Sequence, residues 1–250
     1  MKPIIFCDFD GTITETDNIF SLMTEFVPEE SEKIAQAMME QTISFKDGLS
    51  AMFHLLSTHQ KDEIIQYLMD SAVIREGFGD FARYAQNNHI PFYIVSGGVD
   101  FFIEPLVEKF GPFSGIYCNR ADFSGEQIEL IYPNSCDEEC AKYSTQGCGC
   151  CKPSVMRKLA KEDHYKIVIG DSLSDFEAAK LADIVLARDH LIQRCEELHV
   201  PYRPFTTFHD CLKIIQELVE SKKSCSYTLI EKRKKEPLLQ RCLPFPTYLC

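Results

Sequence analysis

The sequence predicts an α/β protein with a parallel sheet and a helical domain inserted after the first strand. Three observations support this prediction. Short apolar runs of strand length recur along the chain, helical patterns separate the later runs, and no strand-like run occurs between Asp17 and Ser71. Strands that alternate with helices form βαβ units, whose parallel sheets are covered by helices on both faces.

Four apolar runs have the length of buried strands: Ile4–Cys7, Pro91–Val95, Ile167–Ile169 and Ile184–Ala187. Apolar residues at helical spacing precede and follow the second run, namely Phe78, Phe81, Ala82 and Ala85 before it and Phe101, Phe102, Leu106 and Val107 after it. Two further runs, 116–118 and 128–131, flank the turn residues 122–125 and predict a small hairpin.

The predicted insert contains four amphipathic stretches, Ile19–Phe26, Ser31–Gln41, Phe45–Leu56 and Asp62–Ala72. We therefore expect a discontinuous core over 1–14 and 75–220 and a helical cap over 15–74. An insert at this place would cover the tip of the first strand, as a lid that excludes water and selects the substrate. Residues 221–250 are rich in Lys and Arg and predict a poorly ordered tail, with a basic binding peptide as the alternative.

Composition excludes some classes of function. The formal net charge is −12, so no broad basic field is available to hold a nucleic acid. The apolar runs are well short of the ~20 residues that a membrane-spanning helix needs. Ile4–Cys7 is also too short for the apolar region of a signal peptide. We expect a cytoplasmic protein whose 12 cysteines are mostly reduced, of unknown oligomeric state.

Acidic residues follow two of the predicted strands. Asp8 and Asp10 follow the first strand, and Asp171 and Asp175 follow the third. Ligands bind at the carboxyl ends of parallel strands, so these carboxylates should meet at one edge of the sheet. They would repel each other unless a cation lies between them. Hard oxygen ligands suit Mg²⁺, and the sequence therefore predicts a Mg²⁺ site for phosphate chemistry.

Each step of phosphate-ester hydrolysis has a candidate residue. Asp8, nearest the strand tip, can attack phosphorus and form an aspartyl-phosphate. Asp10, two residues on, emerges on the same side of an extended segment and can act as acid and then as base. Asp171 can complete the metal site, and Asp175 either orients it or is a surface residue of the following helix.

The phosphate itself also has candidate ligands. Ser96 and Gly97 follow the second strand and offer a hydroxyl and backbone N–H groups, although Ser96 could be an ordinary helix N-cap. Lys152 precedes Pro153, which suits the first turn of a helix, so Lys152 can offer a fixed cation or be merely solvated.

In this order, the Asp8-x-Asp10-Gly-Thr segment, Ser96, Lys152 and the Gly170–Asp175 segment resemble the four motifs of the haloacid dehalogenase (HAD) superfamily. The resemblance implies a Rossmann-like core, with Asp8 as nucleophile and Asp10 as general acid and base. It also implies Mg²⁺ held by Asp8, Asp171 and the backbone carbonyl of Asp10, and a cap like that of the phosphoserine-phosphatase branch. The dehalogenases lack the second aspartate, so Asp10 favours phosphate esters.

Further segments resemble the bacterial phosphatases of methionine salvage, including Cys7–Thr14, Ile74–Phe78, Phe92–Phe102 and Cys148–Ser154. This resemblance implies a small methylthio phosphate ester as the substrate. Another small ester such as phosphoserine stays open, as does a catalytically silent scaffold that binds metal. Asp17 lies where the phosphoserine-phosphatase branch has an acid that reads the leaving group, but it may equally cap the first helix.

Five cysteines crowd ahead of Lys152: Cys136, Cys140, Cys148, Cys150 and Cys151. Thiolates at such spacing can hold Zn²⁺. However, the pattern C-x₃-C-x₇-C-x-C-C is not that of a standard zinc ribbon, and five ligands are one too many. A structural zinc, a disulfide or redox role, and free thiols that pack a loop therefore stay open.

Overall fold

The computed structural model describes residues 2–141 and 147–220. Residues 1–212 form one compact unit. The second unit covers 213–250, of which 213–220 are described and helical. The tail predicted at 221–250 lies outside the described residues. None of the helices within the described residues combines the length and the apolar composition that a membrane span requires.

The described residues form one seven-stranded sheet, with strands β1 (Lys2–Cys7), β2 (Phe92–Val99), β3 (Gly115–Asp122), β4 (Glu129–Ile131), β5 (His164–Gly170), β6 (Ile184–Ala187) and β7 (Tyr202–Pro204). Their spatial order is β4-β3-β2-β1-β5-β6-β7. Every neighbouring pair is parallel except β3 and β4, which pair antiparallel as the predicted hairpin. The predicted parallel sheet is confirmed, and β1 lies at its centre.

Up to residue 207, the α-helices are α1 (Asn18–Phe26), α2 (Pro28–Met39), α3 (Phe45–His54), α4 (Lys61–Ser71), α5 (Phe78–Asn87), α6 (Asp100–Val107), α7 (Glu138–Ala141), α8 (Lys152–Leu159), α9 (Phe176–Ala179) and α10 (Asp189–Glu197). The second helix begins at Pro28, three residues before the predicted start at Ser31. Proline suits the first turn because it has no N–H to leave unsatisfied, and Glu29 and Glu30 favour the same helix end.

The core surrounds the central strand. Ile4, Ile5, Phe6 and Cys7 are all buried, as expected for a strand covered by helices on both faces. Hydrogen bonding continues one residue beyond β1, because the Asp8 N–H donates to the Ile169 carbonyl at 2.9 Å. The sheet therefore fixes the backbone of Asp8 at its carboxyl edge.

Helices α1–α4 form the predicted insert between β1 and α5. Its two ends meet, since Thr14 pairs with Ile74 and the Glu15 N–H donates to the Val73 carbonyl at 2.9 Å. Within the insert α2 packs on α1 and α3, while α3 contacts β4 and α4 contacts α6. The cap is therefore seated on the hairpin side of the sheet.

One predicted strand end was wrong, and one strand was missed. The second strand does not end at Val95 but continues to Val99, with a register shift against β3 between these residues. Gly97 and Gly98 lie within the shift, where residues without a side chain tolerate an irregular strand. The edge strand β7 was not predicted, because its three residues include the exposed Arg203 and Pro204 and carry no apolar run.

Candidate active site

Asp8, Lys152 and Asp175 form a buried group of charges at the carboxyl edge of the sheet. Lys152 Nζ lies 2.7 Å from Asp8 Oδ2 and 2.6 Å from Asp175 Oδ1. Asp8 is 6% exposed, Lys152 5% and Asp175 1%. Burial alone would lower the pKa of Lys152, but the two carboxylates raise it well above its usual value, so the lysine stays charged.

Asp8 combines a fixed position with an unfavourable environment for its charge. Its Oδ1 accepts the Phe9 N–H at 2.7 Å. Burial, and then the negative charge of Asp175, raise the pKa of Asp8 well above its usual range. Lys152 opposes this rise. The carboxylate is thus poorly solvated and close to a fixed cation, which suits a nucleophile toward an anionic substrate.

Asp175 orients the loop after β5. Its Oδ2 accepts the N–H groups of Asp171 and Ser172, each at 3.1 Å, while its Oδ1 contacts Lys152. The Thr12 hydroxyl donates to Asp171 Oδ1 at 2.6 Å. Burial and the charge of Asp175 raise the pKa of Asp171 to about 6. The loop after β1 and the loop after β5 are therefore locked together.

Asp10 lies beside this group and is held by the start of α1. Its Oδ1 accepts the Asn18 Nδ2 at 2.7 Å and the Asn18 N–H at 3.1 Å. Burial and the charge of Asp17 raise the pKa of Asp10 to about 7, and the two bonds from Asn18 oppose the rise. A carboxyl group that titrates near neutrality can both give and take a proton.

Asp17 takes the capping role, one of the two roles that its position predicted. Its side chain caps α1 by accepting the Phe20 N–H at 2.9 Å. The negative charge of Asp17 also raises the pKa of Asp10. Contact of Asp17 with a leaving group stays a prediction.

Ser96 and Gly97 lie on the irregular end of β2. The Ser96 side chain is buried and its Oγ accepts the Gly98 N–H at 2.9 Å, which leaves the hydroxyl proton free to donate. The buried Asn119 holds the Gly97 carbonyl through its Nδ2 at 2.8 Å. The strand end is therefore fixed from both sides, as a phosphate cradle requires.

Arg75 is an important residue that was quoted in the sequence analysis only as part of a resembling segment. It is buried, and its guanidinium donates to the carbonyls of Thr12 at 2.8 Å, Gly11 at 2.8 Å and Thr14 at 2.9 Å. One side chain thus satisfies three carbonyls of the loop that follows Asp10. Arg75 lies 63 residues after Thr12, so no local sequence pattern indicated that the two would be in contact.

We expect Arg75→Ala to destabilise the protein by about 3 kcal/mol, because buried carbonyls lose their charged donor. The measurement is urea unfolding. The matched control is Arg83→Ala, which breaks an exposed pair with Asp80 and should change stability by at most about 0.5 kcal/mol. Equal unfolding midpoints for the two variants would contradict the role given to Arg75.

Gly98 makes room for the Asp10 carboxyl group. A Cβ at this position would lie 2.6 Å from Asp10 Oδ2 and 2.9 Å from Ile103 Cδ1. We expect Gly98→Ala to displace Asp10 and lower turnover by about 10²-fold, the scale for a misplaced catalytic group. Gly125→Ala is the control, since the nearest atom to its Cβ beyond its chain neighbours would be the Gln127 carbonyl oxygen, at 3.8 Å. If both variants turned over phosphate ester at the same rate, Gly98 would have no such role.

The carboxylates also fit a divalent cation. Oxygens of Asp8, Asp171 and Asp175 all lie within 4.8 Å of one another. Both oxygens of Asp175 already have donors, whereas Thr12 engages only one oxygen of Asp171. Gly11, at φ +74°, brings the loop so close that a Cβ there would lie 2.5 Å from Asp171 Oδ2. Hard oxygens packed this closely are the donor set that Mg²⁺ prefers.

The five cysteines divide into two groups. The Sγ atoms of Cys136, Cys140, Cys148 and Cys151 all lie within 4.8 Å of one another. Cys150 is not among them, because it is buried elsewhere with its Sγ 3.7 Å from the Tyr117 carbonyl. The structure therefore brings together four of the five predicted candidates.

The chain matches a protein-family model over most of its length. This family model, of the haloacid dehalogenase-like hydrolases, covers residues 5–180. The chain belongs to this family. The match spans the residues Asp8, Asp10, Ser96, Lys152 and Asp175. The match confirms the resemblance to the HAD superfamily that the sequence motifs indicated.

Curated relatives match nearly nine tenths of the chain. A protein of Lysinibacillus sphaericus (strain C3-41) named 2-hydroxy-3-keto-5-methylthiopentenyl-1-phosphate phosphatase is 90% identical, over 88% of this chain and 97% of its own length. A protein of Bacillus mycoides (strain KBAB4) with the same name is 48% identical, over 89% of this chain and 100% of its own length.

Solved structures share the HAD fold. One described as a phospho-aspartyl intermediate analogue of phosphoserine phosphatase matches with a TM-score of 0.60 at 21% identity, over 85% of this chain and 98% of that one. A probable phosphoserine phosphatase from Vibrio cholerae matches with a TM-score of 0.66 at 14% identity, over 90% of this chain and 67% of that one. At these identities the likeness shows the fold alone.

Proposed function

We propose that this chain is a phosphomonoesterase that hydrolyses 2-hydroxy-3-keto-5-methylthiopentenyl-1-phosphate to 1,2-dihydroxy-3-keto-5-methylthiopentene and phosphate. The observation that carries the chemistry is the buried Asp8 carboxylate, 2.7 Å from Lys152 and two residues before Asp10, whose pKa is raised to about 7. The names of the relatives at 90% and 48% identity support the substrate. The proposed place of action is the cytoplasm, in methionine salvage.

In the first step an Asp8 oxygen attacks phosphorus while the bond from phosphorus to the enol oxygen breaks. Asp10 gives its proton to that oxygen, so the product leaves as a neutral enol. The Lys152 ammonium and the Ser96 hydroxyl face the charge that builds up on the phosphoryl oxygens. Backbone N–H groups around Gly97 would bind the same oxygens.

In the second step water attacks the aspartyl-phosphate. Asp10, now a carboxylate, takes the proton of the water, the bond from phosphorus to Asp8 breaks, and inorganic phosphate forms. The hydrogen bonds from Asn18 hold Asp10 in one place through both steps. The pKa of about 7 allows the same group to act as acid and then as base.

Asp8 and Asp171, together with the backbone carbonyl of Asp10, are the residues that would hold Mg²⁺. The ion supplies positive charge to the phosphoryl oxygens when it is bound. Asp175 would orient Asp171 through the N–H groups at the start of its loop. The helical cap over 15–74 would close over the ester and exclude bulk water.

The test is phosphate release from the enol phosphate generated in situ, beside phosphoserine and an aryl phosphate. We expect kcat/KM to be highest for the methylthiopentenyl ester. A higher value for phosphoserine would keep the chemistry and reject the substrate. No release from any ester would reject the phosphatase and favour the metal-binding scaffold.

Removal of Mg²⁺ should reduce phosphate release to background, since the buried carboxylates would then repel the substrate. The ion should be removed by desalting rather than by a strong chelator, so that any thiolate-bound metal stays in place. Mg²⁺ in such sites is held by one or two carboxylates and keeps several waters, so we expect desalting to release it. Activity should return when Mg²⁺ is added back, and full activity in the desalted enzyme would contradict Mg²⁺ dependence.

A further inference from the structure

The four-cysteine cluster has the dimensions of a metal site. Its sulfur atoms, from Cys136, Cys140, Cys148 and Cys151, lie within 4.8 Å of one another, and all four thiols are free. A tetrahedral zinc with Zn–S bonds of about 2.3 Å places its sulfurs about 3.8 Å apart. If the four side chains moved slightly inward, their sulfur atoms would therefore surround one ion. Soft thiolates in this number favour Zn²⁺ over the hard cation of the active site.

The exclusion of Cys150 resolves the unusual sequence pattern. Five cysteines gave one ligand too many, but Cys150 turns away toward the Tyr117 carbonyl. The remaining cysteines form a C-x₃-C pair at 136–140 and a C-x₂-C pair at 148–151. Both spacings fall in the range that structural zinc sites use.

The rest of the chain holds these pairs in position. The Asp137 carboxylate accepts two bonds from Arg157 of α8, at 2.6 and 2.7 Å, and also accepts the Cys140 N–H at 2.9 Å. The Cys151 N–H donates to the Asn134 carbonyl at 2.9 Å. Both pairs are thus anchored without a bond between sulfurs, which lowers the entropic cost of binding an ion.

We propose that Cys136, Cys140, Cys148 and Cys151 bind one structural Zn²⁺. The ion fixes the segment 147–151, whose last residue directly precedes Lys152 of the active site. The same segment contacts α3 of the cap, because a Cβ on Gly149 would lie 3.1 Å from Leu49 Cδ1 and the Lys46 N–H donates to the Gly147 carbonyl at 3.4 Å. The zinc therefore links Lys152 and the cap at one rigid point.

The test is metal analysis of the full chain, purified with a reductant and desalted. We expect one zinc per chain, and a tetrahedral thiolate spectrum when Co²⁺ replaces it. Cys140→Ser and Cys148→Ser should lose the metal, while the neighbouring control Cys150→Ser should keep it. The zinc content and the cobalt spectrum are both measured on the wild-type protein. The proposal can therefore be tested even if a variant fails to fold.

Four results would overturn the proposal. The first two are the absence of zinc from wild-type protein expressed in zinc-supplemented medium, and iron in place of zinc. The other two are disulfides among these cysteines in the reduced preparation, and equal metal loss in Cys150→Ser and Cys148→Ser. The zinc content is measured without substrate. Its failure would therefore leave the proposed phosphatase activity untouched, and a failure of that activity would leave the zinc site untouched.

Discussion

Asp8→Asn is expected to lower turnover of the phosphate ester by at least ~10³-fold, the scale for a lost covalent catalyst. The amide keeps the size of the side chain and can still accept a hydrogen bond from Lys152, but its oxygen is a far weaker nucleophile. Because burial and Asp175 already disfavour the charge of Asp8, the neutral amide should not unfold the protein.

The measurement for Asp8→Asn is kcat for phosphate release, with circular dichroism to confirm that the variant is folded. Asp80→Asn is the matched control, because Asp80 is exposed and its two ion pairs, with Arg83 and His209, include no residue of the site. That variant should keep wild-type turnover. Unchanged turnover in Asp8→Asn would show that Asp8 is not the nucleophile.

Lys152→Met is expected to destabilise the protein by about 3–5 kcal/mol, the cost of removing one partner from a buried ion pair. Methionine fills a similar volume but leaves the carboxylates of Asp8 and Asp175 facing each other without a cation between them. Turnover should also fall, since the phosphoryl oxygens lose a fixed positive charge.

The matched control for Lys152→Met is Lys180→Met, whose pair with Glu177 has a comparable length of 2.6 Å but is exposed. Exposed pairs contribute at most about 1 kcal/mol. Urea unfolding of the two variants in the absence of substrate separates burial from pairing. An equal loss of stability in both variants would contradict the account of the buried charges.

Much of the core could be predicted because its signals are local. Ile4–Cys7 is an apolar run of strand length followed at once by Asp8, and β1 ends at Cys7 as expected. The strand end at Val95 was wrong, because the continuation to Val99 depends on pairing with β3 rather than on an apolar pattern. β7 escaped prediction for the same reason, as its place is set by its pairing with β6.

The site shows the same division. Asp8, Asp10 and Asp171 stand out in the sequence because each follows a strand within a short acidic segment. Asn18 and Arg75 do not, since their roles depend on where the cap helices place them relative to the loop after β1. Cys150 could not be separated from its neighbours by spacing, because only the fold turns its thiol away from the other four.

The most direct test of the central claim is to trap the covalent intermediate. The enzyme is quenched in acid during turnover of the methylthiopentenyl ester, and its peptides are mapped by mass spectrometry. The account predicts one phosphoryl group on the peptide that contains Asp8, localised to Asp8 by fragmentation and absent from the Asp8→Asn protein. A phosphoryl group on another residue, or a burst of phosphate with Asp8 unmodified at every quench time, would contradict it.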